Sequence, residues 1–437
     1  MLTLSQKYGK LAFCMAAISL ILIIRDIVGL GIPDMVVTAV FVISMAVLRY
    51  EEMVYLIFFI FPIMCGAPGY IISIAYILLL IKGPRLTARQ FVPLLIVTVL
   101  EVINELLRNL PGLYTGMLSF LSFTAVFFYF LDERSTQYSV EKCLIAYGLG
   151  ATFVFIVIYA NMFLQYGAES MLSGMFRSGA LGVVDNDMEK MRGHIALNAN
   201  TIAYMATSVV SIFSVMSIML KEAPNKKLFY VIITCICLAA GVFSFSRTYV
   251  AVMLLLVFFL LFETRGKKKI KLAFLLLLIC AVALYLFKDT LNSVFDVFEG
   301  RMEEDNIATG GGRTILFSLY NKAWEDNLFY VLFGVGTVSY REVLQVYNAM
   351  HSGLQQIWVC LGIIGFLLYA IRLVGYLKRV YTPKSSILYA PFIVTFIFDQ
   401  SIQFLNPYPF VLILLATLQL PKIKLEKDAC CANKIHV

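Results

Sequence analysis

The sequence predicts an all-α polytopic membrane protein, and three observations predict it. Of 437 residues, 61% are apolar and only 14% charged, whereas soluble domains sit near about one half and one quarter. The apolar residues form long unbroken runs, without the alternation of a membrane β-barrel. Within lipid each backbone polar group must be satisfied inside its own segment or a closed barrel, so these runs are helices. Finally, the cations fall between the runs and mostly on alternate sides. Residues 1–437 therefore read as a single integral membrane domain.

Crossing the hydrocarbon takes about 20 residues, relaxed for short or broken helices, and on that measure about 14 transmembrane helices emerge. They run over 11–29, 33–49, 52–65, 69–82, 91–107, 111–131, 142–161, 199–220, 227–245, 248–263, 270–287, 352–377, 386–403 and 405–420. The first run follows Lys7 and Lys10 and precedes Arg25-Asp26, with no small-residue cleavage site, so it is a retained helix, not a removed signal peptide. The third and fourth are two spans or one broken hairpin, because Pro62, Gly66, Pro68 and Gly69 fall between them.

Alternating the spans from a cytoplasmic start puts both termini in the cytoplasm. Outside two long segments, only Arg25, Arg108 and Arg247 then face the other side, and the cluster at Arg265, Lys267, Lys268, Lys269 and Lys271 marks the inside. The long extracytoplasmic loops are 162–198 and 288–351. In the larger, Leu291, Val294, Phe295, Phe298 and Met302 recur at helical spacing, as do Ile315, Leu316, Leu319 and Ala323. That pattern predicts two surface-lying helices divided by Gly310, Gly311 and Gly312, and a connection of this length carries function more often than not. The cytoplasmic tail, 421–437, is basic and expected to be disordered.

Composition also excludes function classes. The nine cysteines lie in apolar runs or in the tail without ligand spacing, which argues against a disulfide framework and a zinc site. The cations form no patch with interleaved aromatics, so nucleic acid is not a partner. No cofactor motif and no paired acidic motif for a metal–diphosphate complex appears, and no metal is expected.

Candidate chemistry gathers at the ends of spans. Arg247 closes the run Gly241 to Ser246 and opens the next span. It is either an interfacial arginine snorkelling to the surface or an anion site, bidentate toward phosphate and assisted by Ser246 and the first N–H groups of its helix. Arg192, His194, Asn198 and Asn200 stand directly before another span, where an asparagine caps the helix or the group adds to an anion site. His351 opens the span 352–377, as a hydrogen-bonded helix-start histidine or as a neutral imidazole able to take a proton from a hydroxyl. Gln355 and Gln356 are polar early in that span and point to a cavity. Glu101, Asn104, Glu105 and Arg108 share one helical face, while Asp399, Gln400 and Gln403 end another span. Both groups are expected to line a cavity, the alternative being a buried structural pair of Glu101 or Glu105 with Arg108. Asp26 and Asp34 are the acids nearest the first outer loop.

Four pieces of the sequence resemble the O-antigen polymerase and ligase family of bacterial membrane enzymes. They are Arg192 to Asn200, Ser244-Phe245-Ser246-Arg247, the loop with Gly312-Arg313, Trp324 and Gly334-Val335-Gly336, and His351 to Gly365. The resemblance covers roughly 190–370. It departs at Ser352, where the family often has Asn, and at Asn198-Ala199-Asn200 in place of Asn-Pro-Asn. It implies a GT-C-like fold in the bacterial inner (plasma) membrane, with an extracytoplasmic active site.

The activity implied is metal-independent, inverting transfer of a glycan from an undecaprenyl-diphosphate carrier. Arg247 and Arg192 would hold the diphosphate, with Arg313, His194 and Asn200 as further substrate contacts. His351 would activate the acceptor hydroxyl. Tyr320, Trp324 and Tyr340 either stack on sugars or anchor at the membrane surface. The expected function is a polysaccharide polymerase working on lipid-linked repeat units, with membrane lipid and a chain-length regulator protein as partners. The alternatives are a ligase moving finished glycan to lipid A core, and a lipid-linked oligosaccharide flippase. The flippase is disfavoured because no internal repeat is seen and the outer loops are long.

Overall fold

A computed structural model of the chain describes residues 4–64, 69–106, 113–131, 138–172, 197, 199–220, 222–263, 313–346, 350, 352–381, 386–399, 413 and 416–433. Among these the architecture is all-helical. Ten helices come first: α1 Leu4–Asp26, α2 Asp34–Val47, α3 Tyr50–Met64, α4 Gly69–Lys82, α5 Ala88–Leu106, α6 Leu113–Phe130, α7 Val140–Leu172, α8 Ala199–Met219, α9 Pro224–Phe243 and α10 Arg247–Glu263. Then follow α11 Arg313–Glu325, α12 Leu328–Phe333, α13 Tyr340–Val343, α14 Gly353–Val380, a 3₁₀ turn Ser386–Tyr389, α15 Ala390–Asp399 and α16 Leu420–Asn433.

Five of these are long and apolar enough to cross a membrane: Tyr8–Asp26, Val140–Leu164, Ala199–Met219, Pro224–Phe243 and Leu354–Val380. Five shorter apolar helices accompany them, Met35–Val47, Ser73–Lys82, Phe120–Phe130, Arg247–Leu261 and Ile387–Phe398. The expected spans 270–287 and 405–420 fall largely outside the described residues. The tail departs from expectation: Leu420–Asn433 is a helix, with Leu420 and Ile423 buried and Lys427 paired with Glu222. Two apolar anchors three residues apart give even a lysine-rich segment something to bury.

The chain divides into two compact units. The first comprises Met1–Gly150, Gly312–Tyr381 and Asp399–Gln419, and the second Ala151–Gly311, Thr382–Phe398 and Leu420–Val437.

In the first unit, α1 to α6 pack on one another, α5 and α6 also pack on α14, and helix ends are tied by polar side chains. Lys82 at the end of α4 donates to the carbonyls of Met45, Ala46 and Leu48 at 3.0, 2.5 and 2.9 Å. A cation thereby caps orphan carbonyls of α2. α5 starts with a capping box, Thr87 N–H donating to Gln90 Oε1 at 2.7 Å. The box is anchored further by Gln90 Nε2 on the Tyr129 carbonyl at 3.1 Å.

The second unit is built on α8, buried almost all round, against which α9 lays one face with Phe213 and Tyr230 5.2 Å apart. Leu228, Val231, Ile232 and Leu238 of α9 remain exposed, as a lipid-facing helix requires. Ser208 and Ser211 inside α8 satisfy themselves on the carbonyls three residues back, at 2.8 and 2.9 Å.

Candidate functional site

In the second unit the turn joining α9 to α10 is folded around two hydroxyls. Ser244 Oγ donates to the Gly241 carbonyl at 2.6 Å and accepts from the Ser246 N–H at 3.4 Å. Between them Phe245 is 2% exposed and holds φ at 50°, a left-handed conformation that costs an aromatic residue about 1–3 kcal/mol. The strain fixes how α10 begins. Its first residue is Arg247, partly exposed, at the end where helix N–H groups lack intrahelical partners. Ser246 Oγ donates to Asn200 Oδ1 at 3.3 Å. Two sequence pieces far apart in the chain thus meet at the N-terminal ends of α8 and α10, and this Asn200 oxygen accepts from the residue that precedes α10. Arg192, His194 and Asn198 lie outside the described residues.

In the first unit the decisive feature is a break in α14. Gly362 has φ 65° and ψ −173°, so the ladder is interrupted and the carbonyls of Val359 and Cys360 lose their helical donors. The Gly334–Gly336 turn replaces those donors: Val335 N–H reaches Val359 O at 3.1 Å and Gly336 N–H reaches Cys360 O at 3.0 Å. Close approach requires glycine on both sides. A Cβ at Gly362 would lie 2.5 Å from the Leu332 carbonyl, and one at Gly336, where φ is 88°, would lie 2.3 Å from Glu105 Oε1.

That carboxylate overturns the cavity-lining reading of α5. Glu101 and Glu105 are fully buried and Asn104 is 2% exposed. Thr337 donates to Glu101 through its backbone N–H at 3.1 Å and also through its hydroxyl. Glu105 Oε1 accepts from the N–H groups of Val338 and Ser339 at 2.8 and 3.0 Å, and Asn104 Nδ2 donates to the Phe333 carbonyl at 2.8 Å. Three successive backbone donors thus terminate on two carboxylates, an arrangement in which ionised acceptors form the stronger bonds. Arg108, the partner expected from sequence, lies outside the described residues.

The turn continues into Tyr340, 4% exposed, whose ring lies 5.9 Å from the fully buried Tyr320. Burial holds the Tyr340 phenol above its ordinary pKa. Its hydroxyl accepts from Arg341 Nε at 3.1 Å. Trp324 is 3% exposed and meets Trp358 at 5.3 Å. Tyr320, Trp324 and Tyr340 therefore pack internally here instead of offering faces to a sugar. Gln355 Nε2 is committed to α11, donating to the Phe317 carbonyl at 2.9 Å and to Asn321 Oδ1 at 3.2 Å. Arg313 opens α11. His351 lies outside the described residues, between Met350 and Ser352, which caps α14 by accepting from the Gln355 N–H at 3.4 Å.

Two other expected residues are accounted for locally. Asp26 is 5% exposed and bound to Arg25 at 2.7 Å, so it is no free acid. Asp34 begins α2.

The glycine-linked turn, the broken helix and the serine–arginine turn all fall within one stretch that a known family describes. Residues 229–370 match the family model for O-antigen ligase. The match takes in Arg247, Arg313, Trp324, His351 and Gln355, and begins after Arg192, His194 and Asn200. No curated protein and no solved structure matches the chain. With the apolar helices, the O-antigen ligase match supports a membrane protein with activity of the O-antigen ligase and polymerase type. α5 lies outside the matched residues, and its buried acids escaped sequence reading as loop anchors because their partners are backbone groups some 230 positions away. The signal that was present is the pair of carboxylates one helical turn apart in an apolar run, which demands an internal partner.

Proposed function

We propose that this chain is a polysaccharide polymerase of the bacterial plasma membrane, transferring a growing glycan from its undecaprenyl-diphosphate carrier to a hydroxyl of another lipid-linked repeat unit. The observation that carries the reading is the family match across the residues that open α10 and α14. In this reading Arg247, at the N-terminal end of α10, holds the diphosphate, with Arg192, Arg313, Asn200 and His194 as further contacts. Asn200 fits that role through its bond to Ser246, the residue preceding Arg247. His351 accepts the proton of the attacking hydroxyl. As the new glycosidic bond forms on the opposite face of the sugar, the bond to the diphosphate breaks, inverting the anomeric centre. Diphosphate is already a good leaving group, so arginines stabilising its developing charge suffice without a metal ion.

That the matched family is one of O-antigen ligases favours a second reading, ligation, here of finished glycan to lipid A core. Purified enzyme given one defined lipid-linked repeat unit separates the two. A polymerase lengthens that substrate into a ladder, and a ligase makes product only when the second acceptor is added. For the residues, Arg247→Ala and His351→Ala proteins present in membranes at normal amounts are expected to abolish polymer in cells. Full-length polymer from either variant would rule out the role assigned to that residue.

A further inference from the structure

We propose that Tyr249 and Tyr159 are positioning residues for Arg247, gripping the end of α9 from two helices and so setting the angle at which the guanidinium meets a diphosphate. The inference rests on the role proposed above for Arg247. Tyr249 lies inside the matched family region and Tyr159 outside it.

All of the residues involved lie in the second unit. α9 ends at Phe243, and its last carbonyls have no helical donor. Three hydroxyls gather on carbonyls of that end. Besides Ser244 on Gly241, Tyr159 of α7 donates to the Ala240 carbonyl at 2.9 Å, and Tyr249 in the first turn of α10 donates to the Leu238 carbonyl at 3.2 Å. Tyr249 reaches Leu238 by crossing Gly241 so closely that a Cβ there would lie 2.2 Å from the Tyr249 Cζ. The ring is 3% exposed, so the first turn of α10 is interlocked with the end of α9. Tyr159 fixes the register against α7. Its ring lies 5.9 Å from Phe243, and Thr152, seven residues earlier on the same helical face, meets Cys237 Sγ at 3.6 Å.

Arg247 stands between these fixed points, two residues before Tyr249 and two after Phe245. The φ of 50° at Phe245 persists only where surrounding contacts over-determine the conformation, and the interlocked ends of α9 and α10 supply them. Removing either tyrosine hydroxyl strands no buried backbone group. The Leu238 carbonyl keeps its place in the α9 ladder, and the Ala240 carbonyl also accepts from the Ser244 N–H at 3.1 Å. The cost therefore falls on orientation more than on folding. Orientation matters here because a guanidinium binds phosphate as a planar fork, and a misplacement of about 1 Å can cost on the order of a hundredfold in rate.

The test uses the purified full chain and a defined lipid-linked repeat unit. Tyr249→Phe keeps the ring over Gly241 and removes only the hydroxyl. It is expected to lower kcat/KM by about tenfold or more and to leave the melting temperature in detergent unchanged. Tyr159→Phe should show the same loss, and it keeps the inference testable if Tyr249→Phe folds poorly. Arg247→Lys keeps the charge but replaces the fork with a flexible point charge, which depends little on the angle at which α10 begins. In that background Tyr249→Phe should lower transfer by less than about twofold. Where Arg247→Lys transfers too little to compare, binding of undecaprenyl diphosphate to the same proteins is read instead, with the same contrast expected.

A merely structural role would give equal fold losses in the wild-type and Arg247→Lys backgrounds. That result, or an unchanged kcat/KM in both tyrosine variants, overturns the positioning role while leaving the proposed function standing. Full transfer by Arg247→Ala overturns both.

Discussion

Glu105 is the residue at which burial, charge and geometry can be separated. Only its Oε1 accepts from the loop, and Oε2 has no hydrogen-bond partner among the described residues. Bonds to an ionised acceptor are worth about 1.5–3 kcal/mol, and an abandoned buried donor costs about 1–3 kcal/mol. Glu105→Ala strands two backbone N–H groups and should cost roughly 2–4 kcal/mol, read as a lowered melting temperature in detergent. Glu105→Gln keeps an oxygen at the accepting position and should retain most of that stability. Equal losses in the two variants would mean that the charge, not the acceptor geometry, holds the turn. The residue types were legible as polar groups needing an internal partner. Which partner they take was not, because an α5 side chain meets backbone of a distant turn.

The broken helix α14 is the element on which the candidate site of the first unit depends. Its sequence reads as one uninterrupted span, 352–377, because Gly362 and Gly365 are compatible with a membrane helix. What interrupts it is a partner outside the helix: the Gly334–Gly336 turn supplies the donors that let the ladder open. Gly362→Ala would place a Cβ against the Leu332 carbonyl and ask alanine to hold a left-handed φ, which alone costs about 1–2 kcal/mol. A loss of at least about 2 kcal/mol and of transfer activity is therefore expected. Gly375→Ala in the same helix meets nothing within 4 Å and should be neutral or gain up to about 1 kcal/mol from helix propensity. Matched thermal melts of the two variants check this. If both behave alike, the break is not required.

For the molecule as a whole, α16 shows the folded chain extending past its last apolar run. Leu420 and Ile423 are buried, and Lys427 pairs with Glu222, which also holds Lys226 at 3.2 Å. The ion pairs are partly exposed and worth at most about 1 kcal/mol, so Lys427→Ala should barely move the melting temperature. Truncation after Gln419 removes two buried aliphatic side chains, each worth about 1.5–3 kcal/mol. It should lower stability by several times more. A truncated protein that melts like the full chain would show that α16 adds nothing to the packing.

By itself the sequence determined the class of molecule and the bounds of most of the described helices. These depend on local quantities: the length of an apolar run and the cations at its ends. Tertiary structure alone decided that Trp324, Tyr320 and Tyr340 pack inward, that Asn200 meets Ser246, and that α5 holds the turn leading to Tyr340. Each of those is a pairing between groups that must leave water or lipid together. Hydropathy marks that such groups need partners, and only the packing of distant segments says which partners they find.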